Sequence, residues 1–98
     1  MNIQAMMKQA QKLQKDMMVA KEEIDNKIFP GKSSFVKVEV MGNKKVKKIS
    51  FDVTQLEAED IEILGDLVLV AINEAMDKID KETEEKLGKY TQGMPGLF

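Results

Sequence analysis

The first 24 residues alternate between apolar and polar positions with the period of an amphipathic helix. Apolar side chains recur at spacings of three and four residues, at Ile3, Met6, Ala10, Leu13, Met17, Ala20 and Ile24. This is the a/d repeat of a helical seam, and neither Pro nor Gly interrupts it. The positions between are mostly Gln, Lys, Met and Glu, which favour helix. The pattern predicts a long N-terminal helix, and we call these seven positions the apolar seam.

Shorter periods follow and indicate β-strands. Residues 28–29 are apolar and precede Pro30-Gly31, which is typical of a short strand that runs into a turn. Between residues 36 and 40, valines alternate with charged side chains and therefore share one face of a strand. Residues 49–53 alternate in the same way after a turn signal at Gly42-Asn43. The two alternating runs predict a β-hairpin.

The hairpin has two possible registers. A tight turn would place Val40 opposite Lys45. A wider loop would instead match apolar neighbours, Val38 with Ile49 and Val36 with Phe51. Matched apolar neighbours outweigh a local turn preference, so burial favours the wider loop.

The last large element is predicted to be a helix over residues 59–87. Residues 54–57, Thr-Gln-Leu-Glu, have the form of a capping box, and apolar residues keep helical spacing from Ile61 to Leu87. Gly88 favours a stop. At about 1.5 Å per residue the helix would be roughly 43 Å long, which is more than a small sheet can cover. Its first half is apolar on nearly all sides, so we expect it to be deeply buried.

That apolar first half predicts self-association, because one small sheet cannot cover it. The positions expected at the interface between two copies are Ile61, Leu64, Val68 and Ile72. The elements together predict an α+β fold with a long N-terminal helix, a small three-stranded antiparallel sheet and a long C-terminal helix, assembled as a homodimer. Residues 1–92 are expected to form one domain. Residues 93–98 are expected to be a flexible tail, dispensable for folding, because they contain two Gly and a Pro.

Composition excludes most catalytic chemistry. The chain has 98 residues, no Cys and no His, so a disulfide framework, a zinc cluster, a thiol nucleophile and a Ser-His triad are all ruled out. The acidic residues of the last helix alternate with Lys at ion-pair spacing, which is typical of a solvated face. We expect no enzyme, metal, cofactor or small-molecule substrate. With no apolar run long enough for a membrane span and no secretory signal, a cytoplasmic protein without a membrane partner is predicted.

Charge is distributed unevenly along the chain. The net charge is −2, but residues 1–48 carry 11 Lys and 5 acidic residues, whereas residues 49–98 carry 4 Lys and 12 acidic residues. An acidic total therefore conceals a basic half that could meet a polyanion on one face. Lys8, Lys12 and Lys15 share a helical face away from the apolar seam. They are either a solvated surface or a phosphate-contacting stripe.

A second group of lysines crowds the predicted hairpin, at positions 44, 45, 47 and 48. Lysines at such a place can keep an exposed strand edge from pairing with other chains. They could equally extend a basic face. Both interpretations stay open from the sequence.

The order and spacing of several short segments resemble the YbaB/EbfC family over the whole chain. These segments are Met-Lys-Gln-Ala-Gln-Lys-Leu-Gln at 7–14, Val-Lys-Lys-Ile at 46–49 with Asp52, Ala-Ile-Asn-Glu-Ala at 71–75, and Gly-Met-Pro-Gly-Leu-Phe at 93–98. The resemblance implies a bacterial nucleoid-associated protein that binds DNA as a tweezer-like homodimer, with helical arms projecting from a joint core. This chain has no Arg, so bidentate recognition of guanine is unavailable.

We therefore expect a cytoplasmic, nucleoid-located homodimer that binds duplex DNA through lysine–phosphate contacts with little base recognition. The predicted DNA-binding residues are Lys8, Lys12, Lys15, Lys21, Lys86 and Lys89. The alternative function is a homodimeric interaction module that recruits a protein partner through its apolar seam and does not bind DNA.

Overall fold

The computed structural model describes residues 2–91 and confirms the predicted α+β fold. Helix α1 spans Ile3–Asp25 and is followed by β1 (Ile28–Ser33), β2 (Val36–Met41), β3 (Val46–Phe51) and helix α2 (Ala58–Thr91). The predicted flexible tail, residues 93–98, lies outside the described residues. Two long helices thus enclose a three-stranded sheet in the chain.

Helix α1 is capped at both ends by asparagine. The Asn2 side-chain oxygen accepts hydrogen bonds from the backbone N–H groups of Gln4 at 3.0 Å and Ala5 at 3.4 Å. At the other end, both the backbone N–H and the side-chain amide of Asn26 donate to the Glu22 carbonyl. These bonds satisfy groups that a helix terminus leaves without partners, and they fix the predicted helix at its observed length.

The sheet is antiparallel in the order β1-β2-β3, and it adopts the wider hairpin loop. Val38 lies opposite Ile49 and Val36 lies opposite Phe51, as apolar matching predicted. An irregularity after Glu39 then places Val46 opposite Val40. The register prediction is confirmed, and the tight alternative does not form.

The predicted turn at Pro30-Gly31 is wrong, because β1 continues through both residues to Ser33. Proline is tolerated there because β1 is an edge strand and needs no donor on its open side. The open-edge carbonyl of Pro30 instead accepts a hydrogen bond from Lys78 Nζ at 2.9 Å. The actual turn follows at Ser34, which has a positive φ of 52°.

Both predicted ends of α2 also differ from the structure. The helix begins at Ala58, where the Glu57 N–H donates to the Asp60 carboxylate at 3.0 Å, so the capping contact lies three residues after the predicted one. The helix then passes through Gly88 and continues to Thr91. Leu87 is buried and Tyr90 packs against the core, and this packing carries the helix past a glycine that locally favours a stop.

The core lies between the sheet and α2. Buried side chains from the strands, Phe29, Val36, Val38 and Val40, face Ala71, Ala75 and Ile79 of the helix. Helix α2 crosses β1 and β2 but makes few contacts with β3. The apolar side chains of β3 that lie opposite the buried valines therefore stay half exposed, namely Val46, Ile49 and Phe51.

The expected deep burial of the first half of α2 is not found within one chain. No residue from 58 to 70 is buried, and Ile61, Leu69 and Val70 are 60%, 58% and 54% exposed. The reason is positional: α2 meets the sheet at Ala71, so its preceding turns lie mostly beyond the strands. Of the four predicted interface residues, Ile61 is exposed, whereas Leu64, Val68 and Ile72 pack in part against the chain's own core.

Candidate nucleic-acid interface

Helix α1 projects from the body of the protein as an arm. Near the C-terminal end of α1, Lys21 and Ile24 line a groove together with Ile79 and Leu87 of α2. Lys27, two residues after α1 ends, forms an ion pair with Glu82. These contacts indicate that α1 runs antiparallel to α2. Residues 3–16 are all exposed, and we call this segment the arm. The longest dimension of the molecule is 71 Å. Helix α2 accounts for about 51 Å of it at 1.5 Å per residue, and the arm accounts for the rest.

Three lysines form a stripe on one side of the arm. Lys8, Lys12 and Lys15 fall within an arc of about 60° at 3.6 residues per turn, opposite the apolar seam. All three are exposed and take part in no ion pair or hydrogen bond with residues 2–91. Residues 3–15 contain no acidic side chain. Asp16 lies four residues after Lys12, but it forms no ion pair with these lysines within residues 2–91. We call Lys8, Lys12 and Lys15 the lysine stripe and regard it as a candidate anion-binding surface.

The other three predicted DNA-binding lysines have intramolecular partners. Lys21 lies 3.1 Å from the Asp25 carboxylate, and its position six residues after Lys15 turns it about 240° around the helix. Lys86 lies 3.7 Å from Glu82. Lys89 Nζ lies 5.0 Å from the centroid of the Tyr90 ring. These three lysines therefore differ from the lysine stripe in having a partner among residues 2–91.

The hairpin lysines are interleaved with carboxylates. Lys44 has a positive φ of 70° at the β2–β3 turn and lies 3.0 Å from Asp80 of α2. Lys48 of β3 lies opposite Glu39 of β2 in the strand register. Lys37 lies 3.5 Å from Asp52. Lys45, Lys47 and Lys48 form no ion pair within residues 2–91, so the hairpin is a second candidate surface for an anion.

Sequence reasoning missed the exposed apolar face of β3. Ile49 and Phe51 alternate with polar residues as in a strand with one buried face, and nothing local indicates that α2 stops short of them. One feature of the sequence could have indicated it: the first half of α2 has more apolar surface than a small sheet can cover. The apolar face of β3 and the first half of α2 are both left exposed by the described part of the same chain.

Clustered metal ligands and membrane-spanning helices are both absent from the part of the chain that the structure describes. Within residues 2–91, no three carboxylates converge in a way that could hold a metal ion. Over the same range, no helix combines the length and the apolar character that crossing a bilayer requires.

These features define a small α+β protein with a basic helical arm, and known proteins share its fold. An uncharacterized protein from Helicobacter pylori superposes with a TM-score of 0.70 over 95% of this chain and 99% of that chain, at 20% sequence identity. The similarity establishes the fold.

Sequence comparison then identifies the family. The YbaB/EbfC DNA-binding family matches residues 1–94, and the chain belongs to that family. A nucleoid-associated protein of Lactococcus lactis is 50% identical over 97% of this chain and 98% of its own length. Proteins of the same name from Ligilactobacillus salivarius and Enterococcus faecalis are each 44% identical, over 99% and 98% of this chain and 95% and 94% of their own lengths. The resemblance seen in the sequence is confirmed.

Proposed function

We propose that this protein is a nucleoid-associated protein that binds duplex DNA through the lysine stripe, in the cytoplasm of a bacterium. The observation that carries the proposal is the lysine stripe itself: three exposed ammonium groups on a projecting helix, without a carboxylate partner. Membership of a DNA-binding family and the names of the relatives support it. No catalytic role and no small-molecule substrate are assigned.

The mechanism is electrostatic. Lys8 and Lys15 are seven residues apart, which is about 10 Å along the helix axis, and one DNA strand carries about three phosphates over that length of the duplex axis. Each ammonium group that meets a phosphate releases condensed counterions, and that release provides affinity without identifying a base. Since the chain has no Arg, it lacks the planar guanidinium fork whose bidentate geometry fits guanine best.

The proposal includes a homodimer. Two apolar surfaces are available to a second copy: the first half of α2, with Ile61 and Leu69 exposed, and the face of β3 with Ile49 and Phe51. In a two-fold dimer every contact between the copies occurs twice. If α2 of each chain packed on β3 of the other chain, both apolar surfaces would be covered. Leu64, Val68 and Ile72 would contribute from the same stretch of α2. The dimer would present two arms and therefore two lysine stripes.

A salt titration of binding to unrelated duplexes tests the DNA-binding proposal. In the test variant, Lys8, Lys12 and Lys15 are all changed to Gln, which keeps helix propensity. We expect affinity to fall about equally on every sequence. The slope of log K against log salt should flatten by roughly 0.9 for each lost contact, and by twice that in a dimer. Circular dichroism should be unchanged.

The matched control changes Lys45, Lys47 and Lys48 to Gln, which removes the same charge from the hairpin. This control should affect binding much less. If it weakens binding and the arm variant does not, the DNA site lies on the hairpin. If neither variant has an effect, binding through the lysine stripe is refuted and the protein-partner function is favoured.

A second candidate function is favoured by the exposure of Ile3, Met6 and Leu13 on the arm. An apolar helical face can recruit a protein partner in place of DNA. A gel shift at physiological salt separates the two functions, because the interaction module would leave duplex DNA unshifted.

A further inference from the structure

The three-stranded sheet has an inner face that packs on α2 and an outer face on the opposite side. The valines of β2 are buried on the inner face, so Lys37 and Glu39, which alternate with them, lie on the outer face. The strand register places Lys32 of β1 and Ser50 of β3 directly on either side of Lys37. Both lysines are exposed, and Ser50 is half-buried. The outer face therefore carries a row of two ammonium groups and a hydroxyl group across all three strands.

Lys32 and Lys37 are like charges at directly opposite positions of the sheet. The Cβ atoms of such residues are about 4.5–5.5 Å apart, and like charges there destabilise a sheet. The side chain of Lys32 forms no ion pair or hydrogen bond with residues 2–91. Lys37 lies 3.5 Å from Asp52, whose side chain is 66% exposed. The two opposed lysines thus share a single, largely solvated carboxylate partner, and nothing else described offsets their repulsion.

The same row of side chains lines a groove of about 300 Å³, which we call the sheet groove. Lys48 of β3 and Lys78 of α2 also line it, together with Glu39 and Glu74. Each glutamate has a lysine beside it: Glu74 lies 3.3 Å from Lys78, and Glu39 lies opposite Lys48. The positive charge that remains unmatched within the groove is that of the two opposed lysines on β1 and β2.

We propose that the sheet groove binds a small anion with two or three linked phosphates, and that one phosphate lies between the ammonium groups of Lys32 and Lys37. Hydrogen bonds between an ammonium group and a phosphate are charge-assisted and stronger than those between neutral groups. The Ser50 hydroxyl can donate a further hydrogen bond to the same phosphate. The bound anion replaces the repulsion between the two lysines with two attractions.

The acidic walls of the sheet groove favour a compact anion over duplex DNA. A DNA strand carries a phosphate about every 3.4 Å of its axis, so a strand laid through the groove would bring several phosphates past Glu39 and Glu74. A pyrophosphate, or the polyphosphate of a nucleotide, concentrates its charge in one place and avoids both carboxylates. Among the described residues that line the groove none is aromatic, so a base finds no ring on which to stack. Recognition therefore centres on the linked phosphates.

The sheet groove is separate from the surfaces that the proposed function uses. The lysine stripe lies on α1, and no described residue of α1 lines the groove. The apolar side chains of β3 that are offered to a second copy, Ile49 and Phe51, lie opposite buried valines and therefore on the inner face. A dimer built on that face would leave both grooves open. The inference goes beyond DNA binding and does not depend on it.

Thermal unfolding in inorganic pyrophosphate tests the site. A ligand that binds only the folded chain raises the melting temperature, and we expect a rise of about 3 °C or more in about 10 mM pyrophosphate. The reference is sodium chloride of the same ionic strength. Lys32→Gln should abolish most of the rise. The matched control, Lys81→Gln, removes one charge from an exposed position of α2 outside the groove and should keep it. An equal rise in chloride, or in Lys32→Gln, would overturn the proposal.

The same variant tests the repulsion that the anion is proposed to relieve. Without pyrophosphate, Lys32→Gln should melt at the wild-type temperature or above it, because the substitution removes one of two opposed charges. A melting temperature below that of the wild type would show that Lys32 already has a stabilising partner within the protein, and would overturn the proposal.

Amide chemical shifts measured by NMR locate the ligand and distinguish its sources. Pyrophosphate and adenosine triphosphate should both shift the amides of Lys32, Lys37 and Ser50 and leave those of the arm in place. Adenosine monophosphate, with its single phosphate, should bind at least about tenfold more weakly. Equal affinity for the monophosphate, or shifts confined to the arm, would overturn the proposal. A short duplex that shifts the groove amides when pyrophosphate does not would also overturn it, because the groove would then belong to the DNA-binding surface. Loss or retention of duplex binding in the arm variant bears on the lysine stripe alone.

Discussion

Gly31 of β1 lies directly against the backbone carbonyl of Ala71 in α2. A Cβ built on Gly31 would overlap the Ala71 oxygen, which is backbone and cannot turn away. Gly42 has the same relationship with the carbonyl of Ile24 in α1. The sheet is therefore held between two helices by close backbone approaches that only glycine permits.

We predict that Gly31→Ala destabilises the protein, because the strand must move away from α2 to admit the methyl group. Overpacking of this kind costs about 1–3 kcal/mol. In a domain of this size, that cost lowers the melting temperature by roughly 4–8 °C per kcal/mol. Thermal unfolding followed by circular dichroism measures the shift.

Gly88→Ala is the matched control for that substitution. Gly88 lies inside α2, and a Cβ built there meets no atom within 4 Å among residues 2–91 apart from its chain neighbours and the nearby backbone of its own helix. Alanine in a helix interior is more stable than glycine by about 0.5–1 kcal/mol. The melting temperature should therefore rise. A fall of the same size as for Gly31→Ala would contradict the close-approach explanation.

We predict that Leu69→Asp dissociates the dimer without unfolding the chain. Leu69 is exposed in the single chain, so a charge there removes only apolar surface offered to a second copy. Light scattering at micromolar concentration should report a monomer, and circular dichroism should be retained. A wild-type protein that is already a folded monomer under these conditions would refute the dimer.

Ile72→Asp should have a different effect. Ile72 packs in part against the buried core, and an unpaired carboxylate there would be costly to bury. We expect loss of cooperative unfolding or a much lower melting temperature, together with dissociation; Val68→Asp should behave in the same way. If Ile72→Asp dissociates the dimer and leaves stability intact, the core assignment of this residue is wrong.

Lys27 and Glu82 form a contact that links the end of α1 to α2. The ammonium nitrogen lies 2.6 Å from the carboxylate oxygen, and the Glu82 side chain is only 19% exposed. We predict that Lys27→Met lowers the free energy of unfolding by about 1 kcal/mol, the upper end for pairs at a surface. Chemical denaturation measures the change, and a double-mutant cycle with Glu82→Gln isolates the pair. Additive effects of the two substitutions would show that the pair contributes nothing.

Stopping the chain after Gln92 should leave the melting temperature nearly unchanged. The buried core that the structure describes lies between Ile24 and Leu87, and residues 93–98 contain two Gly and a Pro and no apolar periodicity. Differential scanning calorimetry measures this directly. A fall of more than a few degrees would place Leu97 and Phe98 in the core.

Sequence patterns predicted the parts of the fold that follow from local periodicity. The hairpin register was predictable because only one alignment places Val38 beside Ile49 on a common face. Helix α1 was predictable because its seam is uninterrupted. The projection of Lys8, Lys12 and Lys15 from the opposite side follows from the same period.

The errors arose where a distant element decides the local conformation. Pro30 and Gly31 have the sequence of a turn, but the structure needs the glycine for another reason. Gly31 lies in a strand against the Ala71 carbonyl of α2, where a side chain would not fit. Gly88 looks like a stop, yet Leu87 and Tyr90 pack on both sides of it. The partners of Lys21 and Lys86 could be anticipated from i,i+4 spacing, but the contact between Lys44 and Asp80 spans 36 positions and could not.

The β2 valines are buried by a helix that the ribosome synthesises later, and this order affects the nascent chain. Val36, Val38 and Val40 are buried by Ala71, Ala75 and Ile79, which are translated much later. At about 5–20 residues per second, roughly 2–8 s separate the synthesis of Val40 from that of Ile79. From the time the hairpin leaves the ribosome until the segment with Ile79 has also emerged, it exposes a valine face that can pair with other nascent chains. The lysines that crowd its turn and last strand would then act before the protein is folded, by keeping neighbouring polypeptides apart through charge repulsion.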